Sequence, residues 1–266
     1  MRTFLAFLFA GALCAQSPKT HENLNATLWS QTSAEYRGVT QTIYRGARTQ
    51  LDRSLKDRKW SAFPQSGRYH KLPPAIIADI DETLLDNSAF QARMVARDIN
   101  WDAAAWTEWC KEAKAEPIPG ALEFLKYAAS RGVTVFYVTN RKHGEEEDAT
   151  RRNLAKFGFP WRDDIDVLLT AGENNWTSDK QPRREFVARS FRVLLLFGDD
   201  FNDFIPAHVS LDQRAALEKQ HAAHWGTKWF LIPNPTYGSW EAALAGFDRS
   251  LSRERVVERK YESLRK

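Results

Sequence analysis

The sequence predicts an α/β fold: a Rossmann-like, mostly parallel sheet with flanking helices and a small helical cap inserted after the first strand. Three observations predict it. Five short apolar runs read as strands buried on both faces: "AIIADI" from Ala75, "VTVFYVTN" from Val133, "DVLLT" from Asp166, "VLLLFGDD" from Val193 and "KWFLIP" from Lys228. Helical patterns separate several of them, among them "GALEFLKYAASRG" from Gly120 and "EEEDATRRNLAKFG" from Glu145, and that alternation builds parallel sheets with helices on both faces. Two of the runs end in carboxylates, Asp79 and Asp81 after the first and Asp199 and Asp200 after the fourth. The carboxyl ends of strands are where open α/β sheets place their ligands.

Taken in order, the start "MRTFLAFLFAGALCAQSPKT" has one positive charge, an apolar run and small residues beyond it, so residues 1–15 read as a secretory signal peptide. The run is too short for a comfortable membrane span. Cleavage after Cys14 or Ala15 would export the chain to the periplasm or the extracellular space. Lipidation of Cys14 would instead anchor it to the outer membrane. Residues 16–74 form an expected N-terminal helical extension: from Leu24 to about Lys56 apolar residues recur at helical spacing without a proline, which predicts one or two helices. Pro73 and Pro74 end the loop after it and deliver the chain into the first strand. Residues 75–266 form the expected core. Within it, residues 86–119 contain "NWDAAAWTEWCKEAKAEPIP" and fall between the first two strands, over the strand ends, as the cap. Trp101, Trp106 and Trp109 there serve to pack the cap or to line its underside.

The 266 residues, 43% of them hydrophobic, suit one α/β domain with a modest insertion and exclude disorder. The formal charge of +4 becomes +3 without Arg2. That mild basicity helps attract an anionic substrate, but it is scattered and carries no reader motif, so a nucleic-acid polymer is not an expected partner. Cys14 and Cys110 are the only cysteines, and a fold that depends on an intramolecular disulfide is not expected. Cys110 reads as a partly buried thiol.

Asp79 and Asp81 would share one face of a regular strand; at a strand end the backbone turns instead and presents the Asp79 carboxylate and the Asp81 carbonyl toward one ion. "GDD" at Gly198–Asp200, followed by Asp203, ends a second strand in the same manner. Two such clusters at neighbouring strand ends suit Mg²⁺, a hard cation that takes oxygen ligands. "VTN" at Val138–Asn140 and Lys180 each fall at or soon after a strand end and strengthen the signal.

With these residues the chain resembles the haloacid dehalogenase-like phosphatases, through "DIDET" from Asp79, Thr139, Lys180 and "GDDFND" from Gly198. It is more closely similar to the class C acid phosphatases, the lipoprotein e(P4)-type 5'-nucleotidases, through "LWSQTSAEY", "DIDETLLDNSAFQ", "VTNRK" and "NPTYGSWE". The resemblance implies that Asp79 is the nucleophile and Asp81 the acid and base, with Thr139, Asn140 and Lys180 holding the phosphoryl group. It implies Mg²⁺ on the Asp79 carboxylate, the Asp81 carbonyl and Asp199, with Asp200 and Asp203 behind them, binding outer waters or orienting Lys180. Substrates would be small phosphomonoesters, nucleoside monophosphates among them, with Tyr237 and Phe90 as stacking surfaces. Phe90 stands where the family leads one to expect Tyr. Transfer of the phosphoryl group to an alcohol through the same intermediate, or a catalytically silent binding protein, are the competing readings.

Around this constellation, Glu82 points into solvent or steadies the turn, and the Thr83 hydroxyl caps the backbone beyond Asp79. Arg183 and Arg184 bridge to an aspartate of "GDDFND" or lie in solvent. His143 is a loop residue near the rim. His221 and His224, at i,i+3 and without the Glu of H-E-x-x-H, read as a surface pair rather than a zinc site.

Overall fold

The computed structural model describes residues 20–266, so the leader and Cys14 lie outside the described residues. In chain order the elements are α1 (Leu24–Thr32), α2 (Ala34–Lys56), β1 (Pro74–Ala78), β2 (Leu85–Asp86), α3 (Ser88–Arg97), α4 (Ala103–Glu112), β3 (Glu116–Pro117), α5 (Ala121–Ser130), β4 (Thr134–Lys142) and α6 (Glu145–Phe157). There follow β5 (Leu168–Ala171), α7 (Gln181–Ser190), β6 (Arg192–Gly198), α8 (Leu211–His221), β7 (Trp229–Leu231), α9 (Ser239–Leu244) and α10 (Arg253–Glu262). Among the described residues no helix is long and apolar enough to cross a membrane.

The N-terminal periodicity resolves into two helices because Ser33 is extended and its hydroxyl accepts the Tyr36 N–H at 3.0 Å, capping α2 where α1 ends. Helix α2 buries Tyr36, Thr40, Tyr44, Ala47, Leu51 and Ser54, spaced three and four apart. That stripe packs on α5, β6 and β7.

Five strands form the expected parallel sheet, in the order β5-β4-β1-β6-β7. From β1 the chain steps outward to β4 and β5, then returns to β6 on the other side of β1. Ligand crevices of open sheets form where the strand order reverses, which here is at the carboxyl end of β1 between β4 and β6. Every residue of β6 is buried, as a strand covered on both faces must be. On one face Tyr44, Phe124 and Phe230 surround Phe197 with ring centroids 5.0–5.7 Å from it. On β4, Phe136 meets Phe191, just beyond α7, at 4.9 Å.

The insertion after β1 is closed at its neck by an antiparallel ribbon in which Leu85 faces Pro117 and Asp86 faces Glu116. Strands of two residues carry no readable alternation, so the sequence does not announce this ribbon. Above it, α3 and α4 make the cap. Trp109 and Cys110 are buried, Trp106 packs edge to face on Phe90 with centroids 5.1 Å apart, and Trp101 is 63% exposed. Phe90, expected as a stacking surface, is 1% exposed. Its ring is spent on the core of the cap, and the stacking expectation for it is corrected.

Candidate active site

Strand β1 hands the chain to Asp79, whose N–H still donates to the Phe197 carbonyl at 3.0 Å. Its carboxylate therefore emerges beside the end of β6, where Asp199 follows Gly198. Carboxylate oxygens of Asp79, Asp199 and Asp203 come within 4.8 Å of one another. Lys180 reaches this cluster from the start of α7: its ammonium donates to Asp79 Oδ1 and, at 2.6 Å, to Asp203 Oδ1. Asp79, Lys180 and Asp203 are all buried. The Thr83 hydroxyl lies 3.2 Å from Asp79 Oδ2 and 3.3 Å from Asp199 Oδ1. It joins two carboxylates rather than capping backbone, which corrects the expectation for it.

The electrostatics follow from crowding. Burial raises the pKa of Asp79 against the pull of Lys180, with Asp203 and Asp81 adding to the rise. Burial, then the charges of Asp203 and Asp79, raise Asp199 well above the ordinary carboxylate range. Burial likewise raises Asp203, opposed by Lys180. Burial works against the Lys180 ammonium, but Asp203 and Asp79 outweigh it and hold its pKa above normal. Three carboxylates against one ammonium leave a formal charge of −2. An all-oxygen donor set with that excess fits a hard divalent cation.

The supports are local. Asn234 donates to Asp199 Oδ2 at 2.8 Å. Asp203 folds back so that its Oδ2 accepts the Asp200 N–H at 2.9 Å. This requires glycine at 198, where a Cβ would lie 2.2 Å from the Asp203 Cβ. The Asp200 carboxylate turns away from Lys180 and holds the N–H and hydroxyl of Ser239; of the two acids expected to orient Lys180, Asp203 does so. Arg183 and Arg184 are fully buried. Arg183 donates to the Thr139 carbonyl and, at 2.7 Å, to Asn140 Oδ1. Arg184 donates to the carbonyls of Asn202 and Asp203 at 2.8 and 2.9 Å. Neither reaches an aspartate carboxylate of "GDDFND" and neither lies in solvent; together they stitch the Lys180 segment to the ends of β4 and β6.

Thr139 is buried on β4, its hydroxyl oxygen accepting the Arg141 N–H at 3.1 Å. The Asn140 side chain is committed to Arg183 and to the Ser178 carbonyl at 3.1 Å. It braces the loop before Lys180, and only its backbone amide remains for a phosphoryl oxygen. Glu82 has a left-handed φ of 56° and is buried, so the solvent reading for it fails and the turn reading stands. It accepts the Asn87 N–H at 2.9 Å and the Tyr237 hydroxyl. Burial, then the charge of Asp81, push its carboxyl up to about 8. The hydroxyl bond ties Tyr237, on the loop after β7, to the turn that follows Asp81. His143 pairs with Glu147, and His221 and His224 stack on each other and on Trp229.

Two contributors carried no role in the sequence reading. Arg141 is 1% exposed and pairs with the Asp81 carboxylate at 2.7 Å; the available signal was its place two residues after Thr139, on the same face of β4. Asn87 donates to the same carboxylate at 2.9 Å; the available signal was its place in "DIDETLLDNSAFQ".

A parallel sheet that gathers three carboxylates and a lysine at its switch point defines a phosphoryl-transfer enzyme of the haloacid dehalogenase type. The chain belongs to the HAD superfamily, subfamily IIIB (acid phosphatase), whose family model matches residues 13–240. It is similar to the class C acid phosphatase of Bacillus anthracis at 32% identity over 92% of this chain and 97% of that one, with a TM-score of 0.81. The same enzyme with tungstate bound matches with a TM-score of 0.82, at the same identity and coverage. The chain is accordingly a phosphomonoesterase acting on small phosphomonoesters.

Proposed function

We propose Mg²⁺-dependent hydrolysis of phosphomonoesters, nucleoside monophosphates included, through an aspartyl-phosphate on Asp79. The observation that carries this reading is the buried Lys180 ammonium set on Asp79 and Asp203 beside Asp199. A phosphomonoester is an anion, and a carboxylate nucleophile approaches it only where positive charge meets its oxygens. Lys180 supplies one such charge. Asp79, Asp199 and the Asp81 carbonyl would hold the cation, with Asp203 behind them; when bound it offsets the remaining negative charge and polarises the phosphoryl oxygens.

Asp79 attacks phosphorus, and the bond to the leaving oxygen breaks as that oxygen takes a proton from Asp81. Asp81 then takes a proton from water, whose oxygen attacks the aspartyl-phosphate and releases phosphate and Asp79. The Thr139 hydroxyl and the Asn140 backbone N–H hold phosphoryl oxygens meanwhile. That the Bacillus anthracis enzyme binds tungstate supports a protein that takes a tetrahedral oxyanion. Tyr237 offers a ring for a nucleobase. The leader-like start extends the proposal to an exported enzyme.

The test is phosphate release from 5'- and 3'-nucleoside monophosphates, nicotinamide mononucleotide and sugar phosphates, with and without Mg²⁺. Metal-dependent release favouring nucleotides supports the whole reading. Release without base preference discards the role of Tyr237, and no release from any ester overturns hydrolysis.

A further inference from the structure

The Asp81 carboxylate is held asymmetrically. Its Oδ1 accepts three hydrogen bonds: from Arg141 Nη2 at 2.7 Å, Asn87 Nδ2 at 2.9 Å and Arg141 Nε at 3.0 Å. Its Oδ2 is touched, among the described residues, by Arg141 Nε alone at 3.2 Å. Both donors are themselves fixed. Arg141 donates through Nη1 to the Thr150 hydroxyl at 3.0 Å and lies over the Trp106 ring, 5.5 Å from its centroid. Asn87 is fully buried, and its Oδ1 accepts Trp109 Nε1–H at 2.8 Å, so its amide nitrogen has to face Asp81. Trp106 and Trp109 belong to α4, and Thr107 between them ties that helix to Glu146 at 2.7 Å.

An sp² oxygen has two lone pairs. With three donors on Oδ1 there is no room for a proton there, and the hydrogens already present would repel one. Oδ2 keeps lone-pair capacity. We infer that Arg141, aided by Asn87, is a positioning residue for phosphoryl transfer: it pins Asp81 by Oδ1 and leaves Oδ2 as the oxygen that exchanges protons. The inference rests on the reading of Asp81 as acid and base. In the first half-reaction the Oδ2–H bond breaks and its proton goes to the leaving oxygen, which keeps the electron pair of the broken P–O bond. In the second, Oδ2 takes a proton from the attacking water. The cap therefore does more than cover the strand ends, because two of its tryptophans hold the groups that aim the proton carrier.

A buried ion pair serving only the fold would give a different result from one that aims a proton. Alkyl leaving groups need that proton; 4-nitrophenolate leaves without it. The experiment compares kcat/KM for a nucleoside 5'-monophosphate and for 4-nitrophenyl phosphate, with saturating Mg²⁺, in wild type, Arg141→Gln and Arg141→Lys. Because protonation by a placed acid is worth ~10²–10⁴-fold, Arg141→Gln should lose about 10²-fold on the nucleotide and less than about 10-fold on the nitrophenyl ester. Arg141→Lys, which lacks the planar fork, should fall between. Equal losses on the two esters, or no loss, overturn the inference. If Arg141→Gln does not fold by circular dichroism, Arg141→Lys, which keeps the charge but cannot place two N–H groups on Oδ1, carries the same comparison and the same criteria. Wild type inactive on both esters would overturn the phosphatase reading itself, a failure separate from that of Arg141.

Discussion

The Lys180 ammonium lies 2.6 Å from the Asp203 carboxylate, and Asp203 in turn is folded against β6 by its contact with the Asp200 N–H. Lys180 is thus steered onto Asp79 by a residue that follows a different strand. Lys180→Met removes the only cation in direct contact with these two buried acids among the described residues. Breaking a buried pair by deleting one partner costs about 3–5 kcal/mol, so metal-free Lys180→Met should unfold at clearly lower denaturant. Activity should drop by at least about 10²-fold through lost charge stabilisation. An unchanged unfolding midpoint would show that the pair contributes nothing to the fold.

Replacing Asp79 by Asn keeps its shape and removes the proposed nucleophile. Turnover should fall by about 10⁴-fold or more, as for other covalent catalysts, while the far-ultraviolet circular dichroism stays native. Wild-type-like phosphate release from Asp79→Asn would sink the aspartyl-phosphate.

Asp199 sits between Asn234 and Thr83, presented to the same space as Asp79. In Asp199→Asn the Mg²⁺ concentration giving half-maximal rate should rise at least about tenfold, and Asn234→Ala should shift it in the same direction by less. A superimposable Mg²⁺ titration for Asp199→Asn would remove it from the metal site.

Without metal, stability should fall as pH rises. Glu82 loses its proton near its ordinary 4.5 in the unfolded chain but only near 8 in the fold. Between those values the folded state binds more protons, so unfolding becomes easier with rising pH. Burial shifts Asp79, Asp199 and Asp203 the same way. Thermal unfolding in chelator should therefore give a lower Tm at about pH 7.5 than at about pH 5. Mg²⁺ should raise Tm more at the higher pH, where the carboxylates are ready to ionise. The opposite slope in chelator would contradict these shifts.

Tyr237 is the remaining candidate for a base-stacking ring, held by Glu82. Loss of a stacking ring is worth about 1–3 kcal/mol per base. Tyr237→Ala should raise KM for nucleoside monophosphates by about tenfold and leave glycerol phosphate unaffected. Tyr237→Phe keeps the ring and frees Glu82, and should show the smaller change. Equal effects on both substrates would dismiss stacking.

The sheet and the acidic strand ends were legible because five apolar runs stand out against polar surroundings, and Asp79 and Asp199 follow two of them directly. Lys180 stands alone between loop and helix, and it drew notice through its resemblance to a known motif. What stayed hidden depends on partners distant in sequence. Thr83 meets Asp199 across 116 positions, Glu82 meets Tyr237 across 155 and Arg141 meets Asp81 across 60. No local pattern encodes such pairs. Phe90 misled for the opposite reason: a ring next to catalytic-looking residues reads as a ligand surface until the tryptophan that covers it is seen.

Gly198 has no functional group and touches no substrate in the proposed chemistry. Yet any side chain there would strike Asp203, and Asp203 displaced lets go of Lys180. In a genetic screen Gly198→Ala would surface as a null allele, mapping to a residue that an inventory of reactive groups would pass over.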